Sequence, residues 1–316
     1  MVANALCWIL PDRWADRGKP ALAIRNLMYS LLVSTTRILL AGIALFLFWT
    51  GAAVLSWLLL PVFRLRRNGR WERARVCQSV VRRALRMFHA FMHATDLLDF
   101  DYRQVGALPA ELAGRPFVMV ANHPSLIDVT AIASAWDATC VVAKRPLFRS
   151  LLVGRLLRYC DHIDGGDGSA ISGASVIEEA QLRLQGGLPV LVFPEGTRSP
   201  AGSTSLRPFK RGAFEVACRA GVPILPVLVR LDRPILLKSQ RWYQSAERQR
   251  VRLTLEPLAP VATQVDGDSA ALATEVEAIF REKLDLIGKD ARLVALPIDS
   301  RSRNVRLERS LVRRRN

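Results

Sequence analysis

The chain reads as an α/β protein: a mostly parallel central sheet flanked by helices, preceded by a hydrophobic helical membrane anchor. Three observations predict this. Residues 38–63 form an uncharged apolar run of 26 positions between Arg37 and Arg64. From about residue 100 onward, short apolar runs rich in β-branched residues alternate with stretches of helical length. Those short runs are apolar on both faces, as expected of strands covered on each side within a parallel sheet.

Composition narrows the classes. With 316 residues, 50% of them hydrophobic and 23% charged, the chain has globular usage and material for a sizeable core. Its formal charge of +17 is unevenly placed. Residues 64–86 carry nine basic side chains and one acidic, residues 301–316 seven and one, and the stretch between them is balanced. A nucleic-acid domain would carry its basic face on the folded module, so that class is disfavoured. Basic segments at the edges point to anionic membrane lipids instead. Cys7, Cys77, Cys140, Cys160 and Cys218 are scattered and contain no CxxC pair, which argues for idle thiols rather than a zinc site or disulfide framework.

Residues 1–20 form an N-terminal segment and residues 21–63 the hydrophobic anchor. As a helix, 38–63 would be about 39 Å long against a hydrocarbon core of about 30 Å. It begins too late for a cleavable signal peptide, and no small-residue cleavage site follows. Arg64, Arg66, Arg67, Arg70, Arg73 and Arg75 come next, which places that end on the cytoplasmic side. A weaker apolar segment, 22–36, precedes it. One tilted spanning helix and a pair of helices dipping into one leaflet both fit, with Gly51 and Pro61 allowing a break.

Residues 64–99 are read as a basic amphipathic helix. Val76, Val80, Leu85, Phe88 and Met92 recur at helical spacing, and Arg73, Arg75, Arg82, Arg83 and Arg86 form the other face, suited to anionic headgroups. His89 and His93 stand one turn apart with Asp96 beyond, but neither a HExxH pattern nor a third ligand is evident, so no metal is expected. Strands are expected at 117–121, 139–143, 190–193 and 224–229. The alternation of Val251, Leu253 and Leu255 marks an edge or antiparallel strand. Helices are expected near 125–135, 147–159, 171–186, 210–220 and 269–287. Residues 291–316 are read as a basic C-terminal tail.

Chemistry gathers at the carboxyl ends of strands in such sheets. The first strand leads into Asn122-His123-Pro124-Ser125-Leu126-Ile127-Asp128. Ser125 and Asp128 make an ordinary helix start. They leave His123 unexplained at the mouth of the sheet, where an imidazole can take a proton from an alcohol and a nearby carboxylate can orient it. No GxSxG elbow is present, so the imidazole would act on a substrate hydroxyl directly. The third strand opens into Phe193-Pro194-Glu195-Gly196-Thr197-Arg198-Ser199. There Gly196 permits close backbone approach and Arg198 can clamp a phosphate.

The two blocks together are specific. NHPSLID (122–128) and FPEGTRS (193–199) resemble the NHxxxxD and FPEGTRS motifs of the glycerolipid acyltransferase family, which includes 1-acylglycerol-3-phosphate acyltransferases. Ala143-Lys144-Arg145-Pro146 and Val222–Val227 look like two further blocks of that family, and the resemblance covers roughly 100–232. It implies a glycerol-phosphate acyltransferase-like domain over 100–290. It also implies that His123 is the general base and Asp128 its orienting partner. Glu195, Gly196, Thr197 and Arg198 would bind the acceptor head group, with Lys144 adding positive charge. The implied partners are a lysolipid acceptor and a thioester donor, acyl-CoA or acyl-acyl-carrier protein, with no cofactor beyond that co-substrate and no metal. The implied location is a bacterial-type inner membrane with the catalytic domain on the cytoplasmic face.

One block departs. Where the family's second motif ends in an acidic residue followed by Arg, this chain has Asp164-Gly165. A phosphate contact is then missing, which keeps acceptors other than lysophosphatidate, such as an amino-acid lipid or an aryl-polyene lipid, open beside the phospholipid reading. His162 is a candidate substitute contact. A non-catalytic membrane scaffold is the opposing class, and the presence of both His123 and Arg198 counts against it.

Overall fold

The computed structural model describes residues 18–295, apart from 66–67, 101–104, 106, 137–138, 168, 201–204, 234, 237–240 and 244–249. Arg66, Arg67, Cys7 and most of the basic tail therefore lie outside the described residues.

A long helix opens the chain: α1, Gly18–Val54, runs through a π turn at Leu55–Leu59 into α2, Leu60–Leu65. Its segment Leu27–Leu65 has a mean hydropathy of 2.4 and is long and apolar enough to cross a membrane. The chain then reverses into α3, Arg70–Ala94. This helix belongs to the body of the protein. It packs Cys77 with Leu156 and Cys160, donates from Gln78 to the Cys160 carbonyl at 2.7 Å, and buries His89.

A seven-stranded sheet follows. Its strands are β1 (Leu98–Phe100), β2 (Val118–Ala121), β3 (Cys140–Ala143), β4 (Ile163–Asp164), β5 (Val190–Val192), β6 (Ile224–Leu231) and β7 (Val251–Pro257). The order is β1-β7-β6-β2-β5-β3-β4. β6, β2, β5, β3 and β4 run parallel to one another, whereas β7 is antiparallel to β6 and carries β1 with it. The alternating Val251, Leu253 and Leu255 are buried with Arg252 exposed between the first two, as an outer antiparallel strand requires. β1 and β4, at three and two residues, are too short to register as apolar runs and were not anticipated.

The helices are α4 (Asp128–Ala135), α5 (Arg145–Phe148), α6 (Gly154–Tyr159), α7 (Ala170–Gln185), α8 (Gly212–Ala220) and α9 (Ser269–Ala295). The expected helix at 147–159 is thus two short ones. The sheet separates two apolar layers. Met119, Ala121, Leu225 and Val227 face α3 and α4, and Val118, Val120, Ile224 and Leu228 face Phe214 of α8 and Phe280 of α9. The strictly alternating assignment along β2 and β6 follows from the period of two.

The described cysteines are free and buried, and burial pushes the Cys140 thiol up to about 12, so these are inert packing groups. His89 bridges Thr130 (3.1 Å) and Ser134 (3.3 Å) between α3 and α4, and His162 accepts the Val141 N–H at 3.1 Å. Burial lowers both imidazoles from 6.5 to about 4.

These two histidines make the fold acid-sensitive in a defined window. The unfolded chain binds protons on them from about pH 6.5 downward, and the folded chain refuses them until about pH 4. Stability therefore falls as pH drops through that interval, by up to about 3 kcal/mol for His89. Thermal unfolding of the detergent-solubilised protein should show a lower midpoint at pH 5 than at pH 7.5. In His89→Gln, which keeps a polar link to Thr130, the drop should be smaller. An unchanged wild-type midpoint would contradict the neutral buried imidazoles.

Candidate active site

β2 is the central strand of the seven, with β5 on one side and β6 on the other, both parallel to it. The loops leaving β2 and β5 are therefore neighbours, although the sequence separates them by about seventy residues, and the loop after β3 comes next. That order brings the histidine block and the FPEGTRS block together at one edge.

The β2 loop is held from several directions. Asn122 is completely buried and continues the ladder with its side chain. Its Nδ2 donates to the Val229 carbonyl at 2.9 Å, and its Oδ1 accepts the Val229 N–H at 2.7 Å. The His123 N–H donates to Glu195 Oε1 at 3.1 Å, and the His123 carbonyl accepts the Ser199 N–H at 2.7 Å. Its imidazole stacks on Phe193, the ring centroids 4.4 Å apart. Its Nδ1 lies 3.1 Å from Oδ2 of Asp128, a carboxylate with no solvent exposure.

Asp128 is anchored in turn. Oδ2 also accepts the Ser125 N–H at 3.0 Å, and Oδ1 accepts the Ser125 hydroxyl at 3.1 Å. The Ser125 oxygen accepts the Ile127 N–H at 3.1 Å, so this serine closes a turn ahead of the helix, and α4 starts only at Asp128. Ser125 is therefore not the N-cap expected of it: the cap falls at Ile127, and the Ser125 contacts hold the Asp128 carboxylate beside His123 instead. With Nδ1–H directed at the carboxylate, Nε2 is the nitrogen left to face a substrate.

The FPEGTRS loop departs from expectation at Glu195. This carboxylate is 3% exposed. Oε1 accepts the His123 N–H and the Ser199 hydroxyl (2.6 Å), and Oε2 accepts the Arg207 N–H at 3.0 Å. It faces the protein rather than a head group. Gly196 sits at φ +66, where a Cβ would meet Lys210 Nζ at 3.0 Å, so glycine serves both the left-handed turn and the lysine lying against it. Thr197 follows in the same loop, half-buried. Arg198 reaches across to the Leu236 carbonyl at 2.6 Å. Lys144 is exposed at the end of β3.

His162 is half-buried and engages the Val141 N–H through Nδ1 at 3.1 Å, a structural bond within the sheet rather than a replacement contact at the site. Gly165 passes close to β3, donating to the Ala143 carbonyl at 2.7 Å, and a Cβ there would meet that oxygen at 3.1 Å. Close packing accounts for this glycine. Asn122, Ser125, Ser199 and Lys210 were missed as site residues. All four lie within or beside the two motifs, and their polar character at strand ends was the available signal.

Beside the His123 loop lies a cavity of about 140 Å³ lined by apolar side chains including Phe48 and Trp49 of α1, Phe88 of α3, Leu126, Ile127 and Trp242. Its wall is shared by the anchor helix and the His123 loop.

Fold and sequence place the chain among known proteins. Structurally it resembles the crystal structure of a 1-acyl-sn-glycerophosphate acyltransferase from Thermotoga maritima, with a TM-score of 0.53 over 82% of this chain and 97% of that one; at 21% identity this likeness concerns the fold. A family model described as Acyltransferase matches residues 100–230. The mouse 1-acyl-sn-glycerol-3-phosphate acyltransferase alpha is 37% identical over 180 residues, covering 53% of this chain and 60% of that protein. The human beta form is 33% identical over 216 residues, covering 66% and 72%. The chain belongs to the glycerolipid acyltransferase family, and it spans 60% of the length of the alpha relatives from mouse and human.

Glu195 supplies a direct test of the site's construction. Glu195→Gln keeps the shape but cannot accept on both sides, and the loss of a hydrogen bond to a buried charge costs about 1.5–3 kcal/mol. Turnover and thermal midpoint should both fall while the acceptor KM stays within about twofold. A raised KM with turnover retained would instead place this carboxylate on the acceptor.

Proposed function

We propose that this protein is a membrane-bound O-acyltransferase that moves a fatty acyl group from a thioester, acyl-CoA or acyl-acyl-carrier protein, to the free hydroxyl of a lysolipid. The acceptor proposed is 1-acylglycerol-3-phosphate, the compound for which the mouse and human relatives are named. The observation that carries the reading is the 3.1 Å contact between His123 Nδ1 and the fully buried Asp128 carboxylate.

In this mechanism Nε2 of His123 takes the hydroxyl proton as the acceptor oxygen attacks the thioester carbonyl. Asp128 fixes the tautomer and stabilises the imidazolium that forms. Collapse of the tetrahedral intermediate breaks the carbon–sulfur bond, and the imidazolium returns its proton to the thiolate. Base catalysis of this kind contributes about 10²–10⁴-fold, and holding two substrates in register contributes further. Neither metal nor bound cofactor enters these steps.

Lys144, Lys210 and Arg198, with Gly196 and Thr197 between the last two in space, are proposed to receive the anionic head group. For Arg198 this means exchanging the Leu236 carbonyl for a phosphate oxygen, a stronger, charge-assisted partner. Glu195 is assigned as a positioning residue. The apolar cavity supports a lipid substrate, since it can take hydrocarbon next to the reacting loop. The proposed location is the inner membrane with the domain on the cytoplasmic face, as the arginines that follow the apolar run suggest.

His123→Ala should lower turnover by at least about 10²-fold with folding and membrane level unchanged, and Asp128→Asn should also impair it by favouring the wrong tautomer. The assay pairs purified enzyme with both donor types and a lysolipid panel that includes acceptors lacking phosphate. Near-normal turnover of His123→Ala would end the base mechanism. Robust transfer to phosphate-free acceptors, with lysophosphatidate unused, would redirect the substrate assignment and leave the base intact.

A further inference from the structure

We infer that Arg64, Arg149, Arg155 and Arg158 form a second anion site beside the active-site edge, which holds the phosphates of a coenzyme A thioester while its acyl group reacts. Resting on the acyl-transfer reading above, this site takes the polar half of the donor, to which that reading gives no residues.

The site begins where β3 ends. Lys144 follows that strand, and α5 and α6 come directly after it. The connection between these two helices is pinned to the π turn. There the Trp57 indole donates to the Leu151 carbonyl at 2.9 Å, and the Ser56 hydroxyl donates to that of Leu152 at 2.7 Å. Trp57 is thereby brought against Arg155, whose guanidinium carbon lies 4.3 Å from the ring centroid. Arg155 also lies 5.8 Å from the Tyr159 ring and donates to its hydroxyl at 3.0 Å. Arg64, in the last turn of α2, stands 5.1 Å from the same ring. Arg158 is one turn beyond Arg155 and donates to the Phe148 carbonyl at 2.7 Å, which turns the end of α6 back toward the exposed Arg149.

These cations lack a carboxylate. Several arginines elsewhere are matched with acids: Arg70 and Arg183 share Asp161, Arg145 meets Asp164, Arg219 meets Glu215, and Arg281 meets Glu277. Among the described residues no ion pair involves Arg64, Arg149, Arg155 or Arg158, and Asp161, the acid that follows α6, is already engaged. Like charges gathered in this way repel one another and draw in a polyanion. Among the described residues Arg155 and Arg158 each commit a single hydrogen bond to the protein, so most of each guanidinium fork is left for phosphate oxygens.

A coenzyme A thioester fits these features. Its pyrophosphate and ribose phosphate concentrate charge in one small molecule, whereas a bilayer spreads single charges over a plane and an acidic carrier protein spreads carboxylates over a surface. Guanidinium groups fixed by rings and a carbonyl suit phosphates at set positions; attraction to headgroups requires only charge near the surface. The Trp57 ring, 48% exposed, adds a platform on which an adenine can stack. The acceptor phosphate is assigned to Arg198 and Lys210 after β5, and β3 is the next strand of the sheet. Two anionic substrates then have two cationic sites at neighbouring strand ends, which leaves their reacting ends to meet at His123.

The test uses the full chain in a neutral detergent, free of anionic lipid, and the double variant Arg155→Gln/Arg158→Gln. Arg219→Gln/Arg281→Gln removes the same charge from α8 and α9 and serves as the control. Calorimetric titration with coenzyme A and with adenosine 3′,5′-bisphosphate should show binding to wild type and control, and binding weaker by at least about tenfold in the double variant. The KM for acyl-CoA should rise to a similar extent while the acceptor KM stays within about twofold. Arg149→Gln alters a side chain with no partner among the described residues, so it should weaken bisphosphate binding without moving the thermal midpoint. Equal bisphosphate binding by wild type and both arginine variants would overturn the site. An unchanged acyl-CoA KM with poorer flotation on phosphatidylglycerol vesicles would mark a headgroup surface, and a KM rise confined to acyl-acyl-carrier protein would mark a carrier surface; either overturns the coenzyme A assignment. Failure of the broader reading is distinct: a wild type that transfers no acyl group from either donor overturns acyl transfer itself, whatever it binds.

Discussion

Both oxygens of Glu195 are engaged inside the protein, one by the His123 backbone and the Ser199 hydroxyl, the other by the backbone N–H of Arg207. Three donors converge on one buried charge, which offsets the heavy desolvation that an unpartnered carboxylate would suffer at 3% exposure. The result is a clasp between two loops that have no ladder between them beyond the ends of β2 and β5. The reciprocal bond from Ser199 N–H to the His123 carbonyl closes it. Everything that aims the imidazole, including the Phe193 ring beneath it and the Asp128 carboxylate behind it, is built on a backbone fixed by this clasp.

Much of the architecture was legible because burial on both faces leaves a continuous apolar signature. Phe117–Ala121, Thr139–Ala143 and Ile224–Val229 could hardly be anything but covered strands, and Val251, Leu253 and Leu255 announced an outer strand by their alternation. β1 and β4 escaped notice since two or three residues carry no periodicity. Between them they extend the sheet at its two edges, where pairing rather than composition defines a strand. The motif residues were found, but the direction in which Glu195 points was not: a carboxylate beside glycine, threonine and arginine looks like part of a ligand cradle, and only the topology reveals that its three donors lie in the protein. Asn122 shows the same limit. Its role as a side-chain rung between β2 and β6 depends on Val229, more than a hundred residues away.

The arginines of α3 illustrate how charge can mislead. In sequence they form a basic face suited to headgroups, and their positive charge is real. In the structure Arg75 and Arg86 cap backbone carbonyls of the domain, and Arg70 forms a two-pronged pair with Asp161, with Nε and Nη2 at 2.9 and 3.0 Å. A guanidinium offers five donors in a fixed fork, so it can tie two elements together and still present a charge at the surface. α3 is therefore a beam of the domain, and the anchor helix is attached to it rather than merely preceding it.

That attachment links the two halves of the proposed substrate. Leu236 lies in the loop after β6 with φ +50, a left-handed conformation that a branched side chain seldom adopts. Its carbonyl accepts from Arg198, and its side chain lines the apolar cavity shared with α1. An unfavourable backbone conformation persists when its surroundings over-determine it, and here a charged donor holds one end and apolar packing the other. An anion that drew Arg198 away from this carbonyl would remove one restraint on Leu236, and an apolar chain entering the cavity would act on another. In the proposed reaction, the head-group contact at Arg198 and the hydrocarbon contact in the cavity would therefore meet at this one residue, a physical route by which head and tail would be sensed together.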